Sequence, residues 1–374
     1  MHASDVVLVT GFPSLLARSV CVEVLRQDDR ARVKVVVQPR AQANAAEALA
    51  QLAPGDRERV QIVEGDAAAL DFGLSGAEYQ LLAREVTRIH HCAHVTHPSA
   101  ERKLAEATNL GAAREALEFA RACSQLECLV MHSTVHVAGD RRGVVHEDEL
   151  KAGQSFRSVV EETRARAEKL VRAEMDRLPI AIVRPATIVG DSATGEVDSF
   201  DGPYLLVLLV VNTPPDLVLP LPGGGEQPLN LVPIDWVAEA AVAIGRDPRA
   251  RGRAFHLVDP RPMTARRVFE LVARAGGRRA PRGSIPANLA RAVLSVPVID
   301  RIARSPRALL DTITTPVTYD VENANDLLGK LGVAECPAFD TYVDKLVEYA
   351  RAHVRQRRSS KALAVETDGA DSGH

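Results

Sequence analysis

Short β-branched runs alternate with stretches of helical periodicity through the first half of the chain, and few folds accept that order. The strand-like runs fall at Val6–Thr10, Val33–Val37, Val60–Val63, Val86–His91, Leu129–His132 and Ile180–Val183. Between them, Leu15–Arg26 carries Leu16, Val20 and Val24 at four-residue spacing, an Ala-rich helical stretch runs from Ala41 to Leu52, and longer helical stretches cover Lys103–Ala122 and Phe156–Arg177. A helix between successive strands is the connection that parallel strands require, and it crosses over with the right hand. The expected fold class is therefore α/β: a doubly wound, Rossmann-like parallel sheet covered on both faces. Ligands in such sheets bind at the carboxyl ends of the strands.

After Gly190 the texture changes. Pro203, Pro214, Pro215, Pro220 and Pro222, then Gly223-Gly224-Gly225, break the pattern into loops and short elements. Sheet-like runs return at Leu229–Pro233 and Ala254–Val258, helices at Trp236–Gly245 and Thr264–Ala275, and residues 276–350 read as mostly helical. This predicts a core over residues 1–190 and a smaller substrate-covering region over 191–354, with the two returning strands rejoining the sheet. From Arg355 the apolar periodicity fades into Arg, Ser, Asp and Gly, so residues 355–374 read as a disordered, solvated tail.

Composition excludes several partners. Lys and Arg total 46 against 49 Asp and Glu, a net charge of −3, so no general attraction for nucleic acid or an anionic membrane is expected. Five cysteines, an odd number without a CxxC, suggest neither a disulfide framework nor a zinc ribbon. The longest apolar run, Tyr204 to Val211, is far short of the about 20 residues that span a bilayer. The apolar strand starts within a few residues of Met1, with no leader pattern. The sequence thus reads as reduced and cytoplasmic, with no membrane span.

The first strand ends in Thr10-Gly11-Phe12-Pro13-Ser14-Leu15-Leu16-Ala17, where a nucleotide-binding turn belongs. Such a turn uses glycines because backbone must approach a pyrophosphate closely. Only Gly11 remains here; Ser14 stands at the central glycine's place and Ala17 at the third. Further along come Gly65-Asp66, His91-Cys92-Ala93, Asn109-Leu110-Gly111, His132-Ser133-Thr134, Arg184-Pro185, Asn230-Leu231-Val232-Pro233-Ile234-Asp235 and Phe255-His256-Leu257. In that order and spacing, from about residue 5 to residue 350, the chain resembles an extended short-chain dehydrogenase/reductase of the thioester-reductase and fatty acyl-CoA reductase branch.

The resemblance implies a set of cofactor residues. Thr10, Gly11 and Ser14 would form the pyrophosphate turn, and Pro185 would also contact the cofactor. Asp66 would either face the adenine or cap a helix, and Asn109 would brace the active-site strand. The second strand ends in Gln38-Pro39-Arg40, without the acid that holds a free 2′-hydroxyl; Arg40 suits a 2′-phosphate, so NADP is expected ahead of NAD.

The catalytic stretch departs from the family. The family pattern is Tyr-x-x-x-Lys on a helix, placing both side chains on one face. Here the stretch reads Val160-Glu161-Glu162-Thr163-Arg164. Val cannot transfer a proton, and a positioned acid is worth about 10²–10⁴-fold in rate. Arg164 keeps the charge and is expected to grip ribose hydroxyls, without acting as an acid. The remaining candidates are Ser133, Thr134 and His136: Thr134 to bond a carbonyl oxygen, and His136 either to supply the missing proton or to stand as an ordinary loop histidine. Tyr204 is a further conceivable donor. His90, Cys92 and His94 alternate along one strand, but a buried histidine set is a simpler account than a metal site.

Two functions follow. One is an NADP-dependent reductase of a carbonyl or acyl thioester that works with a non-standard proton donor. The alternative is a catalytically inactive reductase fold that senses nucleotide or serves as a scaffold.

Overall fold

Seven parallel strands form one sheet: β1 (Val6–Thr10), β2 (Arg32–Val37), β3 (Val60–Glu64), β4 (Arg88–His91), β5 (Cys128–His132), β6 (Ile180–Pro185) and β7 (Arg253–Leu257). Their spatial order is β7-β6-β5-β4-β1-β2-β3. The chain winds outward from β1 through β2 to β3, then restarts on the other side at β4. The computed structural model describes residues 5–198, 207, 221–222, 224–279, 283–285 and 315–370. Among these, no helix is long and apolar enough to cross a membrane.

Strand periodicity sorts the core onto two faces. Val7 and Val9 of β1, with Val33 and Val35 of β2, pack against Leu16, Val20 and Val24 of helix α1 (Leu15–Gln27) and Val237, Ala241 and Ile244 of helix Ile234–Arg246. Leu8, one residue out of phase, joins Ile89, Leu129 and Ile182 on the opposite face. There they meet Phe72, Tyr79 and Phe119, whose rings stack at 5.2–6.4 Å between centroids. The helical run expected over Lys103–Ala122 is interrupted: α-helix at Arg102–Ala105, a π-turn at Glu106–Gly111 containing Asn109, then α-helix again at Ala112–Ala122. The element expected over Phe156–Arg177 is helix α2 (Val159–Arg172), capped by Ser158, whose hydroxyl accepts from Glu161 N at 3.1 Å.

The chain forms two compact units. The first comprises Met1–Ile188, Asn230–Pro262 and Thr315–Pro337, and carries the sheet. The second comprises Val189–Leu229, Met263–Thr314 and Ala338–His374. The first break falls after Ile188, and residues 315–337 belong to the sheet unit. Val317–Tyr319 pairs with Gly143–Val145, and helix α3 (Glu322–Leu331) places Ala324, Leu327 and Leu328 in the core. Of the two returning strands, β7 pairs with β6 along its full length, whereas Leu231–Pro233 pairs with Thr187–Val189 in a separate ladder.

In the second unit, Thr264 caps helix Ala265–Ala275, and Ser284–Ile285 pairs with Leu221–Pro222. Its last helix runs Val343–Ala370, so the stretch from Arg355 that reads as a disordered tail is helical as far as Ala370. Arg, Gln, Lys, Ala and Glu there are good helix formers even without an apolar stripe. Tyr204 and most of the run Tyr204 to Val211 lie outside the described residues.

Candidate active site

The strand order reverses between β1 and β4, which makes the carboxyl ends of those two strands the place where a ligand crevice belongs. Thr10 and His91 are register partners at that edge. The Thr10 hydroxyl lies 3.0 Å from His91 Nδ1 and accepts from Ala93 N at 3.3 Å. Gly11 then turns with φ +84°, and a Cβ built there would stand 2.6 Å from the Cys92 carbonyl oxygen. Only glycine fits, since both the backbone conformation and the space refuse a side chain. Ser14 N donates to Gly11 O at 3.0 Å, and the Ser14 hydroxyl accepts from Ala17 N at 3.4 Å as the cap of α1.

Two further strand ends flank this turn. After β2, Arg40 is exposed, and its Nε donates to Gln38 Oε1 at 2.8 Å. After β3, Asp66 closes a turn: its carboxylate accepts from Ala68 N at 2.9 Å, and its own N–H donates to Phe72 O at 2.8 Å. That contact is a local turn and caps no helix; the short 3-10 turn beyond starts at Leu70.

The end of β5 meets helix α2. Ser133 is 1% exposed, and its hydroxyl donates to Glu168 Oε2 at 2.6 Å, so it is committed to the interior. Thr134 is half-buried; its hydroxyl donates to Pro185 O over 3.4 Å and accepts from His136 N at 3.3 Å. His136 Nε2 lies 3.2 Å from the Thr187 hydroxyl. Burial pushes the His136 imidazole down to about 4, with the charges of Arg157 and Arg164 adding to the effect. At pH 7 that makes it a neutral imidazole.

Val160 is 8% exposed and Arg164 4%. Arg164 Nη2 donates to the His132 carbonyl at 3.0 Å, beneath the strand end. Desolvation lowers its pKa to about 10, which leaves it a cation. Its guanidinium is thus turned into the protein, where sequence reasoning expects it on a ribose. Asn109, expected to brace the active-site strand, instead ties the loop after β4 to α2: Oδ1 accepts from Val95 N at 2.8 Å and Nδ2 donates to Thr163 Oγ1 at 2.9 Å.

A buried charge network lies beneath this edge, and sequence reasoning misses it. Arg184 on β6 bonds Glu168 of α2, with Nη2 to Oε1 at 2.5 Å and Nε to Oε2 at 3.0 Å. Arg172 Nε adds a bond to Glu168 Oε1 at 2.8 Å. Arg184, Arg172 and the Ser133 hydroxyl hold the Glu168 carboxyl down at about 2 against its burial. Glu147 accepts three amides, His256 N at 2.7 Å, Asn323 N at 2.5 Å and Ala324 N at 3.2 Å, and so joins β7 to the start of α3. Burial nonetheless raises its carboxyl to about 7. The sequence signal for Arg184 is a charge ending an otherwise apolar strand; Glu147 sits in a loop and carries no such mark.

The histidines His90, His91, His94 and His132 cluster behind the β4 and β5 ends; His90 Nδ1 and His132 Nε2 are 3.1 Å apart. Among the described residues no group of His, Cys, Asp and Glu is arranged to hold a metal ion.

A family model described as male sterility protein, an NAD-binding domain, matches residues 9–241. Glycine betaine reductase ATRR of Emericella nidulans is 28% identical over 220 residues, 57% of this chain and 17% of that protein. The terminal R domain from the myxalamid PKS-NRPS biosynthetic pathway superposes with a TM-score of 0.79 at 25% identity, covering 94% of this chain and 92% of that one. The reductase (R) domain of a nonribosomal peptide synthetase from Mycobacterium tuberculosis gives 0.71 at 18% identity, over 93% and 91%, a likeness of fold. This chain spans at most 17% of the length of the curated relatives it matches.

Proposed function

This chain belongs to the male sterility protein family of NAD-binding reductase domains, and we propose that it reduces an acyl thioester to an aldehyde with NADPH. The residues present fit a dinucleotide: Gly11 turns the chain with φ +84° at the β1–β4 switch point, and α1 begins just beyond it at Leu15. Arg40 stands exposed after β2, where a 2′-phosphate would find a bidentate cation. The bound dinucleotide supplies the hydride.

The choice of a thioester rests on what helix α2 lacks. Reduction of a ketone or aldehyde leaves an alkoxide that must be protonated, and Val160 offers no proton there. Reduction of a thioester instead lets the tetrahedral oxyanion collapse to an aldehyde and expel a thiolate. Thiolates leave readily because thiols ionise near pH 8.5, and the proton they finally take comes from water. The polar groups at the strand end suit that demand. Thr134 would hydrogen-bond the reacting oxygen by giving up its long 3.4 Å contact to Pro185 O, whereas Ser133 is held by Glu168 at 2.6 Å. His136, neutral and bonded to Thr187, orients that side of the pocket and carries no positive charge.

The observation that carries this reading is Val160, buried on the helix face where the family's acid belongs. The reductase relatives favour it over an inactive scaffold. The test is NADPH oxidation with a pantetheine thioester and with the matching aldehyde. The thioester should give accumulating aldehyde, with the aldehyde itself turned over slower by about 10²-fold or more. Thr134→Val should cut the thioester rate. Equal turnover of the aldehyde, with alcohol as sole product, would sink the proposal.

A further inference from the structure

We propose that the loop carrying Glu147 and the segment Thr315–Pro337 form a pH-dependent clasp, closed below neutrality and loosened as the medium becomes alkaline. Both parts belong to the sheet unit. Val317–Tyr319 pairs in parallel with Gly143–Val145, and Asp320 N extends the ladder to Val145 O at 3.0 Å. Just beyond, Glu147, 1% exposed, crosses the seam: Oε1 accepts from His256 N and Ala324 N, and Oε2 from Asn323 N.

What this carboxyl lacks is a cation. Its partners are three neutral amides, and among the described residues no Lys, Arg or His side chain pairs with it. The guanidiniums of Arg172 and Arg184 donate instead to the backbone oxygen of Glu147, at 3.0 and 3.3 Å, and give their remaining contacts to Glu168 and to the carbonyls of Asp148 and Glu149. A buried anion without a counter-ion is costly, whereas the protonated carboxyl keeps the fit without the charge. Burial accordingly raises Glu147 to about 7, against the pull of the three amides.

The groups around the seam do not relieve it. On β7, burial and Arg184 hold His256 down to about 4; the neutral ring donates from Nδ1 to Asp320 O at 2.7 Å and accepts at Nε2 from Arg184 Nη1 at 3.2 Å. Arg253 on the same strand serves Asn323 Oδ1, and Arg141 serves Glu149. Burial keeps the Tyr319 phenol, edge-on to His256, protonated up to about 12. Asp320 adds negative charge; its carboxylate accepts from Glu322 N and meets His146 Nδ1 at 3.1 Å, while Asp326 of α3 is paired with Lys330 at the surface. The Asp320 bond raises the exposed His146 imidazole.

The two titrations agree in sign. Glu147 is held above its ordinary value, so its stabilisation is whole at low pH and is lost as pH rises from 4.5 through 7. His146 likewise loses its charge, and its ion pair with Asp320, as pH rises.

Amide hydrogen exchange of the full chain at pH 5.5 and 8.5, corrected for the intrinsic pH dependence of exchange, reads the clasp apart from any reductase activity. Protection of residues 317–324 should fall about 30-fold between the two from Glu147 alone, with far less change over Val6–Thr10. Glu147→Gln, which stays neutral, should flatten the fall to below about threefold. Because that variant alters a buried position, the wild-type profile is decisive by itself, and the exposed-site variant His146→Asn should keep a fall of about tenfold or more. Wild-type protection over 317–324 that is equal at both pH values or higher at 8.5, an undiminished fall in Glu147→Gln, or its loss in His146→Asn would each overturn the assignment.

Discussion

Replacing Glu168 with Gln isolates the charge that holds the β5 end to helix α2. The carboxylate is fully buried and bonded to Arg184, Arg172 and Ser133. Gln keeps the shape, but its amide group turns N–H donors toward the guanidinium donors of Arg184 and leaves that cation uncompensated. Removing one partner of a buried pair costs about 3–5 kcal/mol. Linkage gives a matching figure: a carboxyl lowered from 4.5 to about 2 is worth about 3 kcal/mol at neutral pH. Since the folded value lies below the unfolded one, this stabilisation is complete above pH 4.5 and is lost as pH falls through 2. About 2 kcal/mol of it should have gone by pH 3. Urea unfolding of wild type and Glu168→Gln at pH 7, 5, 4 and 3 measures the difference directly. The two proteins should differ by about 3–5 kcal/mol at pH 7 and converge as the medium becomes acid. A gap below about 1 kcal/mol at pH 7, or one that stays constant down to pH 3, would show that the network does not hold the site together by charge.

Gly11→Ala should lose more than about 2 kcal/mol, from the left-handed strain of a non-glycine residue plus the clash with Cys92 O. It should also abolish NADPH binding by fluorescence titration; retained binding would move the pyrophosphate elsewhere. Arg40→Ala should raise the Kd of NADPH by about tenfold while leaving NADH unchanged, as expected for one lost charge-assisted contact to phosphate. Equal effects on both cofactors would remove Arg40 from the 2′ position.

The sheet was legible because β1, β2, β5 and β6 are largely apolar runs that stand out, whereas β4 is Arg-Ile-His-His and was marked more by its place in the alternation than by its composition. The edges of the fold were harder to read. Residues 315–337 join the sheet unit through Glu147, a loop carboxylate that accepts amides from residues 109, 176 and 177 positions away. A bond from side chain to distant backbone leaves no periodic mark. The π-turn at Glu106–Gly111 was hidden for the opposite reason: one wider turn barely disturbs the spacing of apolar residues in a helix. At the site, Gly11, Arg40 and Thr134 lie at the strand ends where the motif order places them. Residue type did not reveal which way a charge turns. Arg164 follows the buried imidazoles inward, Ser133 is absorbed by Glu168, and His136 loses its charge to burial.

Those three departures bear on one another. In the family pattern a phenol and an ammonium act together on one helix face, the second tuning the first. With Val160 in place of the phenol, a cation at position 164 has nothing to tune, and the guanidinium is found below the edge on the His132 carbonyl. The helix nevertheless keeps both of its anchors. Thr163 reaches the loop after β4 through Asn109, and Glu168 reaches the β5 end through Ser133. Helix α2 thus carries no proton donor at position 160 but still ties the loop after β4 and the end of β5 together. Such a scaffold is in keeping with the proposed reaction, in which the leaving group departs as a stable thiolate and asks no proton of the helix.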